Sequence, residues 1–190
     1  SPLGVLAHRW DPAAAADLAR RDSALTHVHP ACADSVAAFV VAVAHAIDRG
    51  DGPEGAYGAA CDWAGRVSAS ASVRTALEAA RLGAPVCDGA SQGWVLIALQ
   101  NAFHELLHAP TVEEGLAATV LRGGDTDTNA AIAGALLGAV HGRQGIPAQW
   151  RAMVLSCHPV VGRAHRPRPM AYWPTDALEL AERLLLVGER

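Results

Sequence analysis

Charge is scarce in this chain of 190 residues: 18% are Asp, Glu, Lys or Arg, against 51% hydrophobic. That balance excludes a disordered polymer, because enough apolar side chain is present to build a sizeable core. No basic run occurs and the net charge is −4, so the electrostatic footprint of a nucleic-acid binder is missing. The four cysteines, Cys32, Cys61, Cys87 and Cys157, are scattered, with no C-x-x-C pair and no zinc spacing. Reduced thiols in a cytoplasmic protein are the expectation. The opening residues, Ser1-Pro2-Leu3-Gly4-Val5, carry no initiator methionine and neither the basic region nor the apolar run of a secretory leader. The longest apolar stretch, Val36 to Ala44, ends at His45, short of the about 20 residues that a bilayer crossing needs, so no membrane partner is expected.

Period-two alternation is also absent, which removes half-buried strands. Helical signals fill the chain instead. Asp11-Pro12 opens a helix to about Arg21, and Pro30 opens another whose Val36, Phe39, Val40, Val43 and Ile47 recur at helical spacing. Further helices are expected over about 54–65, 72–82 and 91–108. Thr111 with Glu114 reads as a capping box for the next, to about Leu121. A central helix begins after Asp125 and stops at Gly142 and Gly145. Others run from Pro147 to about Ser156 and from a Thr175 cap to about Val187, after an irregular stretch over 157–170. With no repeat and no low-complexity linker, this is an all-α reading: one domain over 1–190, a compact multi-helix orthogonal bundle.

The chain is organised around Gly123-Gly124-Asp125-Thr126-Asp127-Thr128-Asn129, which runs directly into the apolar helix Ala130 to Val140. Two adjacent glycines let the backbone turn sharply and approach something closely. Asp125 sits where a helix cap belongs. Asp125, Asp127 and Thr128 offer oxygens within four residues, the donor type that hard cations such as Mg²⁺ take. Asp and Thr are equally the common capping residues, and negative charge at a helix N-terminus is favourable with no ion at all. The cation reading gains because carboxylates at the edge of a buried element need partners. A helix N-terminus repels a lone cation, so further anionic ligands would be required.

Histidines supply the other candidates. His27 and His29 flank Val28 in a connection; alternate residues of extended chain point to opposite sides, so a capping or substrate-contacting role for one is expected over a metal pair. His104-Glu105-Leu106-Leu107-His108 matches H-E-x-x-H, so a zinc protease is a formal alternative, but no third ligand stands at a recognisable spacing. Without zinc, the two rings form a solvated histidine face near a helix end. No G-x-S-x-G elbow, dinucleotide glycine fingerprint or phosphate loop occurs.

Taken together, the central stretch and its surroundings resemble the ADP-ribosylglycohydrolase family. The residues that carry the resemblance are Gly123 to Thr128, with Asn129 and the Ala-Gly-rich helix after them. Around these lie Gly93-Trp94-Val95 with its helix, Glu113-Glu114-Gly115, Gly138 to Gly142, and Ile146-Pro147. Leu25-Thr26-His27 looks like the family's histidine loop, and Arg168-Pro169, Tyr172-Trp173 and Asp176 look like its closing segment. The resemblance implies an all-helical hydrolase with two Mg²⁺ (or Mn²⁺) ions. It implies Asp125, Asp127 and Thr128 as metal ligands and His27 at the ADP-ribose site. It further implies cleavage of the glycosidic bond joining ADP-ribose to a protein side chain or related conjugate. The catalytic acid or base is not identifiable in these residues.

One departure matters. The family's Thr-Asp-Asp triplet, the other half of its metal site, does not occur here. Ser1-Pro2-Leu3-Gly4 looks like a mid-chain family segment, so the expectation is the C-terminal part of a longer domain, with the missing half absent or supplied by another chain. Exposed apolar helix faces and self-association would follow. A non-catalytic relative that binds ADP-ribose or a modified partner is the alternative.

Overall fold

In a computed structural model the described residues are 1–67 and 69–189. Ser68 and Arg190, the last position of the expected domain, lie outside them. The described residues form ten α-helices and no strand: α1 (Pro2–Leu6), α2 (Pro12–Ala24), α3 (Pro30–Arg49), α4 (Gly52–Arg66), α5 (Ala71–Leu82), α6 (Val95–His108), α7 (Val112–Leu121), α8 (Thr126–Gly145), α9 (Ala148–Leu155) and α10 (Ala177–Gly188). The all-α reading therefore holds. Proline stands at the first or second position of α1, α2, α3 and α4, where its missing N–H costs nothing.

α3 is the organising core helix. It packs between α2 and α4 and also meets α6 and α8, while α8 is flanked by α6 and α7. Phe103, Leu106, Leu136, Leu137, Val40, Val43 and Leu77 are fully buried where these helices meet. Many of the remaining core positions are alanines, so the helices approach closely and each interior methyl has a partner. With Ala31 to Ala46 included, α3 is 20 residues long and apolar enough to cross a membrane by length and composition alone. This corrects the expectation that no segment reaches that length. Within this fold, 72% of its apolar window is buried against other helices.

The smaller differences have local causes. α1 gave no sequence signal, being 5 residues long, and is held because Gly4 is pressed against the Val43 side chain. α6 begins at Val95 rather than Ser91, with Trp94 extended at its cap. α8 breaks at Gly142, whose φ of 67° and ψ of 178° leave the helical region, as the glycine there suggested. The last helix is capped at Asp176 rather than Thr175, after a 3-10 turn over Pro174–Asp176.

Candidate functional site

Three helix starts meet on one side of the molecule. α3 is capped by His29, whose Nδ1 accepts the Ala31 N–H at 3.1 Å. The His29 ring stands edge-on to Trp94, the residue before α6, with centroids 5.3 Å apart. The segment that leads to Trp94 carries Cys87-Asp88, and this backbone lies directly on Gly124, at the approach to α8: a Cβ on Gly124 would stand 1.8 Å from the Cys87 carbonyl oxygen. Gly123 and Gly124 both have positive φ, 77° and 70°. The close approach that the glycine pair suggested is thus found, and its partner is the Cys87–Asp88 peptide.

Beyond the glycines, Asp125 occupies the cap position of α8 but makes no side-chain capping bond, which corrects the capping role read from the sequence. The Asp127 carboxylate instead accepts the Thr128 N–H at 3.0 Å. The Asp127 carboxyl is held below the ordinary carboxylate range, first by its hydrogen-bond contact with Asp125 and then by the backbone N–H groups of Thr128 and of Asp127 itself. The positive end of the α8 dipole favours negative charge at this spot. Neither aspartate forms an ion pair with an arginine or histidine among the described residues. Asp127 and Thr128 are exposed and Asp125 is half-buried.

Asp125, Asp127 and Thr128 thus stand at the cap and in the first turn of α8. His27 is exposed on the neighbouring loop, its Nδ1 hydrogen-bonded with Thr26 Oγ1 at 2.9 Å, and no hydrogen bond or ion pair joins it to the aspartates among the described residues. Of the two loop histidines, His29 has the capping role. Two carboxylates two residues apart at a helix start, one of them free of any capping bond and neither ion-paired among the described residues, fit a hard divalent ion, which takes carboxylate oxygens and fills its remaining positions with water or substrate oxygens. No set of three or more His, Cys, Asp or Glu side chains is gathered for a metal among the described residues.

The H-E-x-x-H residues do something else. His104 Nδ1 lies 3.0 Å from the Ala80 carbonyl and His108 Nε2 lies 3.2 Å from that of Arg81, so both rings donate to the last carbonyls of α5. Glu105 is buried and ion-paired with Arg122. A zinc site has no free ligand set here, and the solvated histidine face becomes a helix-end clasp. This Glu105–Arg122 pair gave no signal in the sequence, since its partners are 17 positions apart, one on α6 and the other capping the end of α7. A cleft of about 690 Å³ has none of residues 123–129 in its lining. It lies beside the opposite end of α3, where Asp48 pairs with Arg9 and Arg49, Asp51 with His45, and Asp11 caps α2. Its acidic groups are already committed to structure.

An all-helical domain with paired carboxylates on a double-glycine turn, at the head of an apolar helix, is the class that these features define. The chain belongs to the ADP-ribosylglycohydrolase family, whose model matches residues 1–189. A curated relative is the ADP-ribosyl-dinitrogen reductase glycohydrolase of Rhodospirillum rubrum, 37% identical over 62 residues, which are 33% of this chain and 21% of that protein. The match therefore spans about a fifth of the relative's length. Members of the family are typically metal-dependent and act on ADP-ribosylated substrates.

Proposed function

We propose that this chain forms the Asp125–Asp127 face of a divalent-cation-dependent hydrolase that releases ADP-ribose from a modified protein side chain or related conjugate. The observation that carries this reading is Asp125 at the head of α8 with no capping bond, two residues from Asp127 and with neither aspartate ion-paired among the described residues, beside a glycine turn and in a chain of this family. Asp125, Asp127 and Thr128 would hold Mg²⁺ or Mn²⁺, and a second ion would need donors from outside these three residues. Bound there, the cation supplies Lewis-acid polarisation and a fixed template for ribose oxygens. The chain's own residues do the rest. The aspartates concentrate negative charge at the start of α8, the Thr128 hydroxyl adds a neutral donor, and His27 on the adjacent loop contacts the ADP-ribose. The free thiols of Cys32, Cys61, Cys87 and Cys157 support a reducing, cytoplasmic setting.

The test is release of ADP-ribose from ADP-ribosyl-arginine and ADP-ribosyl-serine peptides with Mg²⁺, by the wild type and by Asp125→Asn and Asp127→Asn. Loss of turnover in both variants is expected, by 10²-fold or more on the order of other electrostatic catalytic groups. Turnover unaffected by either change would remove the assigned role.

One observation favours a second reading. No third acidic or histidine side chain joins the pair among the described residues, so a catalytic acid or base is not at hand. A non-catalytic relative that binds ADP-ribose or a modified partner would need none. Calorimetry with ADP-ribose, alongside the hydrolysis assay, separates the two: binding without turnover favours the second.

A further inference from the structure

Behind the glycine turn lies a buried polar network that holding the fold together does not explain. Glu105, on α6, has a side chain 4% exposed, and its carboxylate lies against the guanidinium of Arg122, itself 21% exposed. Arg122 Nη1 also donates to Asn101 Oδ1 at 2.8 Å, and Asn101 Nδ2 donates to Thr119 Oγ1 at 3.0 Å. Asn101 and Thr119 are fully buried. Asn101 and Glu105 are one turn apart on α6, so one strip of that helix grips the end of α7.

A buried ion pair is a poor source of stability, because desolvating both charges offsets their attraction; an apolar pair of similar volume often does as well. The position of this one is more informative. Arg122 immediately precedes Gly123, and only three chain steps, about 11 Å at full extension, separate it from Asp125. This bounds the Cα separation at about one screening length at moderate salt, the range over which an unpaired charge on Arg122 would offset part of the negative charge of the aspartates. Glu105 takes up that charge in the interior.

We infer that Glu105 is a charge-compensating and positioning residue for the cation site: it neutralises Arg122 so that the Asp125–Asp127 pair keeps its full negative charge for a divalent ion. This rests on the cation-site reading above. The chemistry it serves is binding of a hard M²⁺ ion, and Glu105 acts through Arg122 without touching the ion.

The experiment is Mn²⁺ titration of the full chain followed by electron paramagnetic resonance, with thermal melts on the same samples. Three variants are compared with the wild type: E105Q, which leaves the Arg122 charge unpaired, R122Q, and the double variant E105Q/R122Q, in which both charges are gone and amides replace them. The expected result is that E105Q weakens Mn²⁺ binding by about tenfold. The double variant should return to within about threefold of the wild type although it departs further from the native sequence. R122Q, with the cation removed and the Glu105 carboxylate left in place, should bind at least as tightly as the wild type, and if E105Q fails to fold, weaker binding by R122Q overturns the inference. A merely structural pair would give the double variant a deficit at least as large as the single one, tracking the melting temperature, and that would overturn the inference. So would E105Q binding within twofold of the wild type. A wild type that binds no Mn²⁺ sinks the cation-site reading and this inference with it. A wild type that binds, beside an E105Q variant that binds equally, sinks this inference alone.

Discussion

The carbonyl of Cys87 stands against Gly124, leaving no room for a side chain: an added Cβ would come within 1.8 Å of that oxygen. Gly123, with a similar positive φ, faces open space. The two glycines therefore separate two effects. Gly123→Ala meets only the left-handed backbone penalty, about 1–2 kcal/mol. Gly124→Ala adds a backbone clash that must displace the Cys87–Asp88 segment, for a total of about 2–4 kcal/mol. Urea denaturation of both variants checks this, and equal losses would contradict the close approach.

The histidine clasp predicts a stability effect and no zinc effect. His104→Ala and His108→Ala each remove a donor from the end of α5 and should cost about 1 kcal/mol apiece. Adding zinc or a chelator should leave the wild-type melting temperature unchanged, and a zinc-dependent rise would revive the metal reading of that helix.

Alkaline pH should loosen the fold around α4. Burial pushes the Tyr57 phenol up from 10.0 and the Cys61 thiol up from 9.0, with smaller effects from their mutual contact. Burial likewise raises the Cys87 thiol from 9.0. Each folded state then holds its proton more tightly than the unfolded chain does. Stability is intact below about pH 8.5–9, where the unfolded thiols begin to ionise, and falls as pH rises through the folded values. Urea midpoints at pH 7, 9 and 10 should descend in that order; a midpoint constant across the series would contradict the burial of these groups.

Large apolar side chains remain on the surface in several places. Leu25 and Val28 in the α2–α3 connection, Val86 beside Cys87, Leu121 at the end of α7, Met153 and Val154 on α9, and Leu178, Leu186 and Val187 on α10 are all at least about half exposed. Surfaces of this kind associate. Light scattering over a concentration series should find self-association, and a monomer at every concentration would contradict it.

Most of the helix order was legible because it depends on neighbours in sequence. Asp11-Pro12, His29-Pro30 and Thr111 with Glu114 announce helix starts through local chemistry, and α2, α3 and α7 begin there. The capping box is only half formed: Thr111 Oγ1 accepts the Glu114 N–H, while the Glu114 carboxylate takes the Thr111 hydroxyl rather than its N–H. At the site, the Gly123-Gly124 pair announced a close approach but not its partner. Cys87 lies 37 positions away from Gly124, and nothing local marks that contact. The same holds for the clasp of His104 and His108 on α5 and for Glu105 with Arg122. Their partners are chosen by how helices pack, so the five-residue motif left zinc as a formal alternative and could not show that the two rings bond to the end of α5.

The central claim is that Asp125 and Asp127 together hold a divalent cation. Isothermal titration calorimetry with Mg²⁺, comparing the wild type with the D125N/D127N double variant at a temperature where both are folded, tests it most directly. The account predicts a saturable heat for the wild type and none for the variant. Equal binding by the two proteins, or no binding by either, would contradict it.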